Sequence, residues 1–176
     1  KIKKEIKSTA VIAITVIKHS LALLERDIKT AEQLSISVSK LGQDAESLML
    51  MLRSKEIIYR LKNNDASIQE TIQFIEKAVS SQTNQIYSDS IRLNLVETLI
   101  PIDSKLANQQ FQLLKKPNED SKSDTYYRYT ARWWLCKSYI DSLEKLTCLR
   151  ESISVYKKAG CTRAAKILES RLHSFV

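Results

Sequence analysis

Residues 2–28 read IKKEIKSTAVIAITVIKHSLALLERDI and contain neither glycine nor proline. At helical spacing their apolar residues fall on two sides. One side carries Ile6, Ala10, Ala13, Ile14, Ile17, Leu21, Leu24 and Ile28, and the other carries Ile12, Val16 and Leu23. Two apolar stripes on one segment predict a helix that contacts two neighbours.

The helical pattern continues through nearly the whole chain. Only two glycines and two prolines occur in 176 residues, so turns for hairpins, phosphate-binding loops or parallel-sheet crossovers are almost unsupported. A hydrophobic content of 43% is enough to bury a core at this length. The sequence therefore predicts an all-α protein of about eight antiparallel helices, arranged as a bundle or a short α-solenoid.

Residues that cap or break helices set the predicted helix bounds. Gly42 caps the second helix, Ser67 and Glu70 form a capping box, and Pro101 either kinks a helix or opens a new one. The predicted helices span 2–28, 30–41, 44–62, 67–80, 89–99 with its continuation to 116, 125–145, 147–159 and 162–175.

The segment Pro117–Asp124 has no apolar residue and predicts a mobile loop. It separates an N-terminal helical array, 1–116, from C-terminal helices, 125–176, within one continuous helical domain. Because the first residue is Lys1 rather than methionine, we expect the chain to be a fragment of a larger protein.

The N-terminal segment superficially copies a secretory signal, with lysines before an apolar run. Lys18 and His19 interrupt that run and no small-residue cleavage site follows, so a buried helix is the better interpretation and no membrane span is expected. Three cysteines and the absence of a glycosylation sequon favour a reducing compartment, either cytoplasm or nucleus.

The segment Tyr156–Ala165, YKKAGCTRAA, combines a helix-ending aromatic, a turn glycine and a small residue opening the next helix. This arrangement resembles the middle of a tetratricopeptide repeat, including the nine-residue step from Tyr156 to Ala165, and the best match lies within 149–172. The resemblance implies stacked helices that bind extended peptides or helices of other proteins.

Six of the twelve aromatic residues lie between Tyr126 and Tyr139. On a helix, one face carries Tyr126, Tyr129, Trp133, Cys136, Tyr139, Ile140 and Leu143, and this face is predicted to be core. A second stripe, Tyr127, Ala131 and Trp134 flanked by Arg128 and Arg132, has the composition of an interface hot spot. Burial of this stripe between two helix layers is the alternative.

Net charge is +8, and residues 122–176 contribute +6 of it. Lysines and arginines surround the last helical pair at Lys157, Lys158, Arg163, Lys166 and Arg171. Such a basic surface contacts phosphates or acidic side chains, or is simply solvated.

No residue pattern indicates catalysis, a metal or a cofactor. His19 and His173 are the only histidines and lack cysteines or carboxylates at metal-ligand spacing. No cysteine has a sequence-local histidine base, and we expect Cys136 and Cys148 to pack in the core.

These observations favour a non-enzymatic helical-repeat scaffold that binds an acidic or amphipathic segment of another protein. Two alternatives remain: a basic helical domain that binds nucleic acid nonspecifically, or a helical regulatory segment of a large multidomain enzyme. The oligomeric state is left open.

Overall fold

A computed structural model describes residues 2–38, 45–82, 84–117 and 123–173; for residues 2–9, 45, 124 and 125 it describes the backbone alone. All regular structure in these ranges is α-helical, which confirms the predicted all-α class. The nine helices are α1 Ile2–Leu24, α2 Ile28–Val38, α3 Ala45–Lys62, α4 Ile68–Ser80, α5 Gln85–Leu99, α6 Ser104–Gln112, α7 Asp124–Ile140, α8 Lys145–Lys158 and α9 Thr162–His173.

Several helix ends follow local capping chemistry. Ser67 Oγ accepts a hydrogen bond from the backbone N–H of Glu70 at 3.1 Å, as the predicted cap requires. Pro101 is followed by a new helix, α6, whose N-cap Asp103 accepts from the Leu106 N–H at 2.9 Å. This break makes α5 and α6 separate helices and accounts for nine rather than about eight.

Several predicted helix bounds were wrong. Arg26 adopts a left-handed conformation with φ 61°, which ends α1 and starts α2 earlier than expected. Asn84 caps α5 by accepting from the Ile86 N–H, so this helix begins before residue 89. The Asp141 carboxylate accepts from the backbone N–H groups of Leu143 and Glu144, and this turn ends α7 at Ile140. Gly42 and residues 118–122 lie outside the described residues.

The chain forms two compact units, Lys1–Ile91 and Arg92–Val176, which divide within α5. The predicted loop 117–124 does not separate them. Residues before and after that loop share one core cluster of the C-terminal unit, made of Leu93, Val96, Phe111, Leu114, Tyr129, Trp133 and Cys136.

In the N-terminal unit, α1 packs against α2 and α3, and α3 packs against α4. The buried side of α1 carries Thr15, His19, Ala22 and Leu23. The longer predicted stripe is instead exposed, at Ile14, Ile17, Leu21 and Leu24. Within the described residues α1 thus contacts two neighbours, as predicted, but both cover the same side of the helix. The expectation that the longer stripe makes one of these contacts was wrong.

In the C-terminal unit, α7 packs against α6 and α8, and α8 packs against α9. Ser152 Oγ donates to the Ala131 carbonyl at 2.8 Å and fastens α8 to α7. Leu149 and Ile153 of α8 pack on Ala165 and Leu168 of α9. No described helix combines the length and hydropathy needed to cross a membrane.

Candidate interaction surfaces

The aromatic helix α7 buries most of its predicted core face. Tyr126, Tyr129, Trp133 and Cys136 are buried, as predicted. Tyr139 and Leu143 are exposed, so their assignment to the core was wrong. The helix ends at Ile140, which leaves Leu143 in the following turn, and Tyr139 faces outward, where its hydroxyl accepts a hydrogen bond from Arg171 at 2.9 Å.

The second stripe of α7 is divided between surface and interior. Tyr127 and Trp134 are half-buried and Arg128 is exposed. Ala131 is fully buried, and its carbonyl accepts the hydrogen bond from Ser152. Ala131 is therefore inaccessible to a partner in this structure, because α8 covers it, and this position fits the alternative of burial between two helix layers.

Arg132 is held by an intramolecular network rather than projecting freely. Its Nε and Nη2 donate to the two carboxylate oxygens of Glu97 at 2.7 and 2.6 Å, and Nη2 also donates to Asn94 Oδ1 at 2.6 Å. Burial works against the charged guanidinium, but the hydrogen bonds and charge of Glu97 outweigh it and raise the pKa of Arg132. This bidentate pair fixes α7 to α5 and leaves Arg132 little capacity for a partner.

Trp134 lies at the edge of the main aromatic cluster. Its ring meets Trp133 edge-on, with centroids 5.1 Å apart. The Lys116 and Lys137 ammonium groups stand 5.9 and 5.6 Å from the Trp134 ring centroid. These distances are within the range of cation–π contacts. The two lysines of the same chain therefore already cover part of the Trp134 ring.

All five predicted basic residues are exposed, but they do not act as one group. Lys157 pairs with Glu169 at 2.6 Å, and Arg171 donates to Tyr139 on α7. Lys158, Arg163 and Lys166 take part in neither of these two contacts.

Lys157 lines a groove between α8 and α9, and the volume of this groove is about 600 Å³. Ile153 and Leu172 supply its apolar lining, and Arg150, Ser154, Lys157, Glu169 and His173 its polar lining. Because Glu169 is already paired with Lys157, Arg150 leaves the rim with a net positive charge. We call this feature the α8–α9 groove.

Arg150 and His173 were not selected from the sequence. Arg150 is seven residues before Lys157, a spacing that places both on the same face of α8 two turns apart. That periodicity was a usable signal for Arg150. His173 enters the groove only through the packing of α9 on α8, which no local pattern encodes.

The buried thiols behave as core residues. Cys136 and Cys148 are buried, as predicted, and burial raises the pKa of both thiols. Raised thiol pKa values keep sulfur protonated and weakly nucleophilic near neutral pH. Across the described ranges, no three His, Cys, Asp or Glu residues come together as a potential metal site.

Comparisons of the chain with protein-family models, with curated proteins and with solved structures find no match.

Proposed function

We propose that this protein is a non-enzymatic, tetratricopeptide-like helical scaffold that binds an acidic amphipathic segment of another protein in the α8–α9 groove. The observation that carries the proposal is the combination, in one concave site, of an apolar lining and a net positive rim. A helix whose apolar residues recur every three or four positions inserts that face into such a groove, while its acidic residues meet the rim.

The packing around the groove supports a repeat-like arrangement. Ala165 is buried against Leu149 and Ile153, so the small residue at the start of α9 permits close approach of the two helices. The connection between them turns at Gly160, which has φ 69°. This left-handed conformation favours glycine and keeps the link between α8 and α9 short.

The test uses the whole chain and a fluorescein-labelled synthetic helix with leucine at every third or fourth position and glutamate elsewhere. An analogue with lysine in place of glutamate is the peptide control. We expect fluorescence polarisation to detect the acidic peptide and little binding of its basic analogue, because the groove rim is positive.

Arg150→Glu should weaken binding about fivefold or more, the equivalent of about 1 kcal/mol for a rim charge pair. Lys158→Glu is the matched control, since it makes the same charge change outside the groove lining. Ser154→Trp, which fills the groove without changing charge, should also weaken binding. Equal losses in the Arg150 and Lys158 variants, with no effect of Ser154→Trp, would reject the groove as the binding site.

The same basic end allows nonspecific nucleic-acid binding as the second candidate. Nucleic-acid binding would depend on the surface charge and not on the groove. Duplex DNA binding should therefore weaken in both Arg150→Glu and Lys158→Glu and be unchanged in Ser154→Trp.

A further inference from the structure

One face of α1 is apolar and exposed. The exposed fractions of Ile14, Ile17, Leu21 and Leu24 are 52%, 59%, 49% and 78%. We call these four residues the α1 seam. The opposite side of the helix is occupied by contacts with α2 and α3, so the seam is a second apolar face that no described residue of the chain covers.

The seam residues are separated by three, four and three positions. This alternation is the a and d spacing of a coiled coil, in which each side chain inserts between four side chains of a facing helix. A surface helix that packed on a broad flat surface would need a wider stripe. Val11, 44% exposed, widens this face only at its N-terminal end, so the spacing favours a single helix as the complementary shape.

The available area is sufficient for a pair of such helices. The four seam side chains are about half exposed or more, and two seams with their flanking side chains bury on the order of 1,000 Å². About 1,000 Å² is the area that separates a biological interface from a crystal-packing contact, and it fits a weak, concentration-dependent dimer.

The charges beside the seam determine the direction of pairing. Lys18 and Glu25 flank it on one side, and both are exposed. When two copies run antiparallel with Ile14 opposite Leu24, Lys18 of each copy points toward Glu25 of the other, because helical side chains lean toward their own N-terminus. A parallel pair would instead place Lys18 and Glu25 beside Ala13 and Ser20, with no charge pair.

We propose that a second copy of this chain covers the α1 seam as an antiparallel two-helix pair. The proposal concerns the N-terminal unit and does not depend on the peptide groove between α8 and α9. A homodimer of this kind would present two grooves on one particle, which increases avidity for a partner that carries two acidic segments.

The first experiment measures molar mass against concentration by sedimentation equilibrium. We expect a monomer–dimer equilibrium in the micromolar range. Leu21→Glu should raise the dimer dissociation constant at least tenfold, because it places two carboxylates in the seam. Ile167→Glu on α9 is the matched control, since Ile167 and Leu21 are both 49% exposed, and it should leave self-association unchanged.

The second experiment tests direction by charge exchange. Lys18→Glu and Glu25→Lys should each weaken the dimer, since each places like charges together, and the double variant should restore it. Restoration in the double variant is expected only for the antiparallel pairing of Lys18 with Glu25.

A chain that stays monomeric at about 100 micromolar overturns the proposal. So does a dimer unaffected by Leu21→Glu, or one that the double charge exchange fails to restore. Seam-dependent binding of a monomer to phosphatidylcholine–phosphatidylserine vesicles would assign the seam to a lipid surface and also overturn it.

Discussion

His19 Nε2 lies 2.9 Å from Glu56 Oε1 and joins α1 to α3 inside the N-terminal unit. The His19 side chain is fully buried and that of Glu56 is 6% exposed. Nδ1 of the same imidazole has no hydrogen-bond partner among the described residues. The pair thus satisfies only part of its polar surface, and its desolvation is incompletely compensated.

This imbalance predicts strong coupling between the two residues. His19→Leu and Glu56→Leu should each destabilise the protein by about 3 to 5 kcal/mol. Glu56→Leu leaves the buried imidazole without a partner among the described residues, and His19→Leu leaves the Glu56 carboxylate with only Arg53, whose Nε lies 4.0 Å from Oε2. The double variant should recover most of that loss. Urea unfolding of the four proteins gives the coupling free energy, and simple additivity of the two single losses would contradict the prediction.

Trp133 and Trp134 should differ in their contribution to stability. Trp133 is 6% exposed and its ring centroid is 5.0 Å from that of Phe111, whereas Trp134 is only half-buried. We expect Trp133→Ala to cost about 3 to 5 kcal/mol and Trp134→Ala about 1 to 2 kcal/mol. Parallel denaturation curves measure both, and a larger loss at Trp134 would reverse the assignment of the two faces.

Alkaline titration should show a raised pKa for the Tyr156 hydroxyl. Burial raises the pKa of its hydroxyl from 10.0 to about 12. The folded protein therefore holds this proton more tightly than the unfolded chain, and the associated stability is complete below pH 10 and lost as pH rises from 10 to 12. Tyrosinate absorbance should show a component near pH 12 that Tyr156→Phe removes. The variant should also lose less stability across that interval.

We expect nucleic-acid binding to be weak at physiological salt. Among the exposed basic residues, Lys157 is paired with Glu169 and Arg171 donates to the Tyr139 hydroxyl. We expect dissociation constants for unrelated duplexes of about 10 to 100 micromolar or higher. The binding affinity should decrease steeply as salt is added. Submicromolar binding abolished by reversing Lys157, Lys158, Arg163 and Lys166 would make nucleic acid the principal ligand.

Local chemistry explains which structural predictions succeeded. Sparse glycine and proline together with helical periodicity predicted the all-α class, and the Ser67 cap was readable because it depends on residues three positions apart. The end of α1, the start of α5 and the end of α7 were missed, because each is set by one residue. Arg26 ends α1 through its left-handed backbone, Asn84 caps the start of α5, and Asp141 accepts from two backbone N–H groups after α7.

The candidate surfaces were less readable. Periodicity separated the two sides of α7 correctly at Trp133 and Trp134 but did not reveal that α8 covers Ala131. The Arg132–Glu97 pair joins residues 35 positions apart, so neither its formation nor its effect on Arg132 is encoded locally.

By itself the sequence determined that the chain is helical and that α1 has two apolar sides, because both properties arise from residues within a few turns of one another. Tertiary packing decided which side of α1 is covered, that Arg132 is ion-paired with Glu97, and where α8 and α9 leave a groove. Those outcomes depend on which helices meet, and the free energy of that choice is distributed over contacts between residues far apart in the chain.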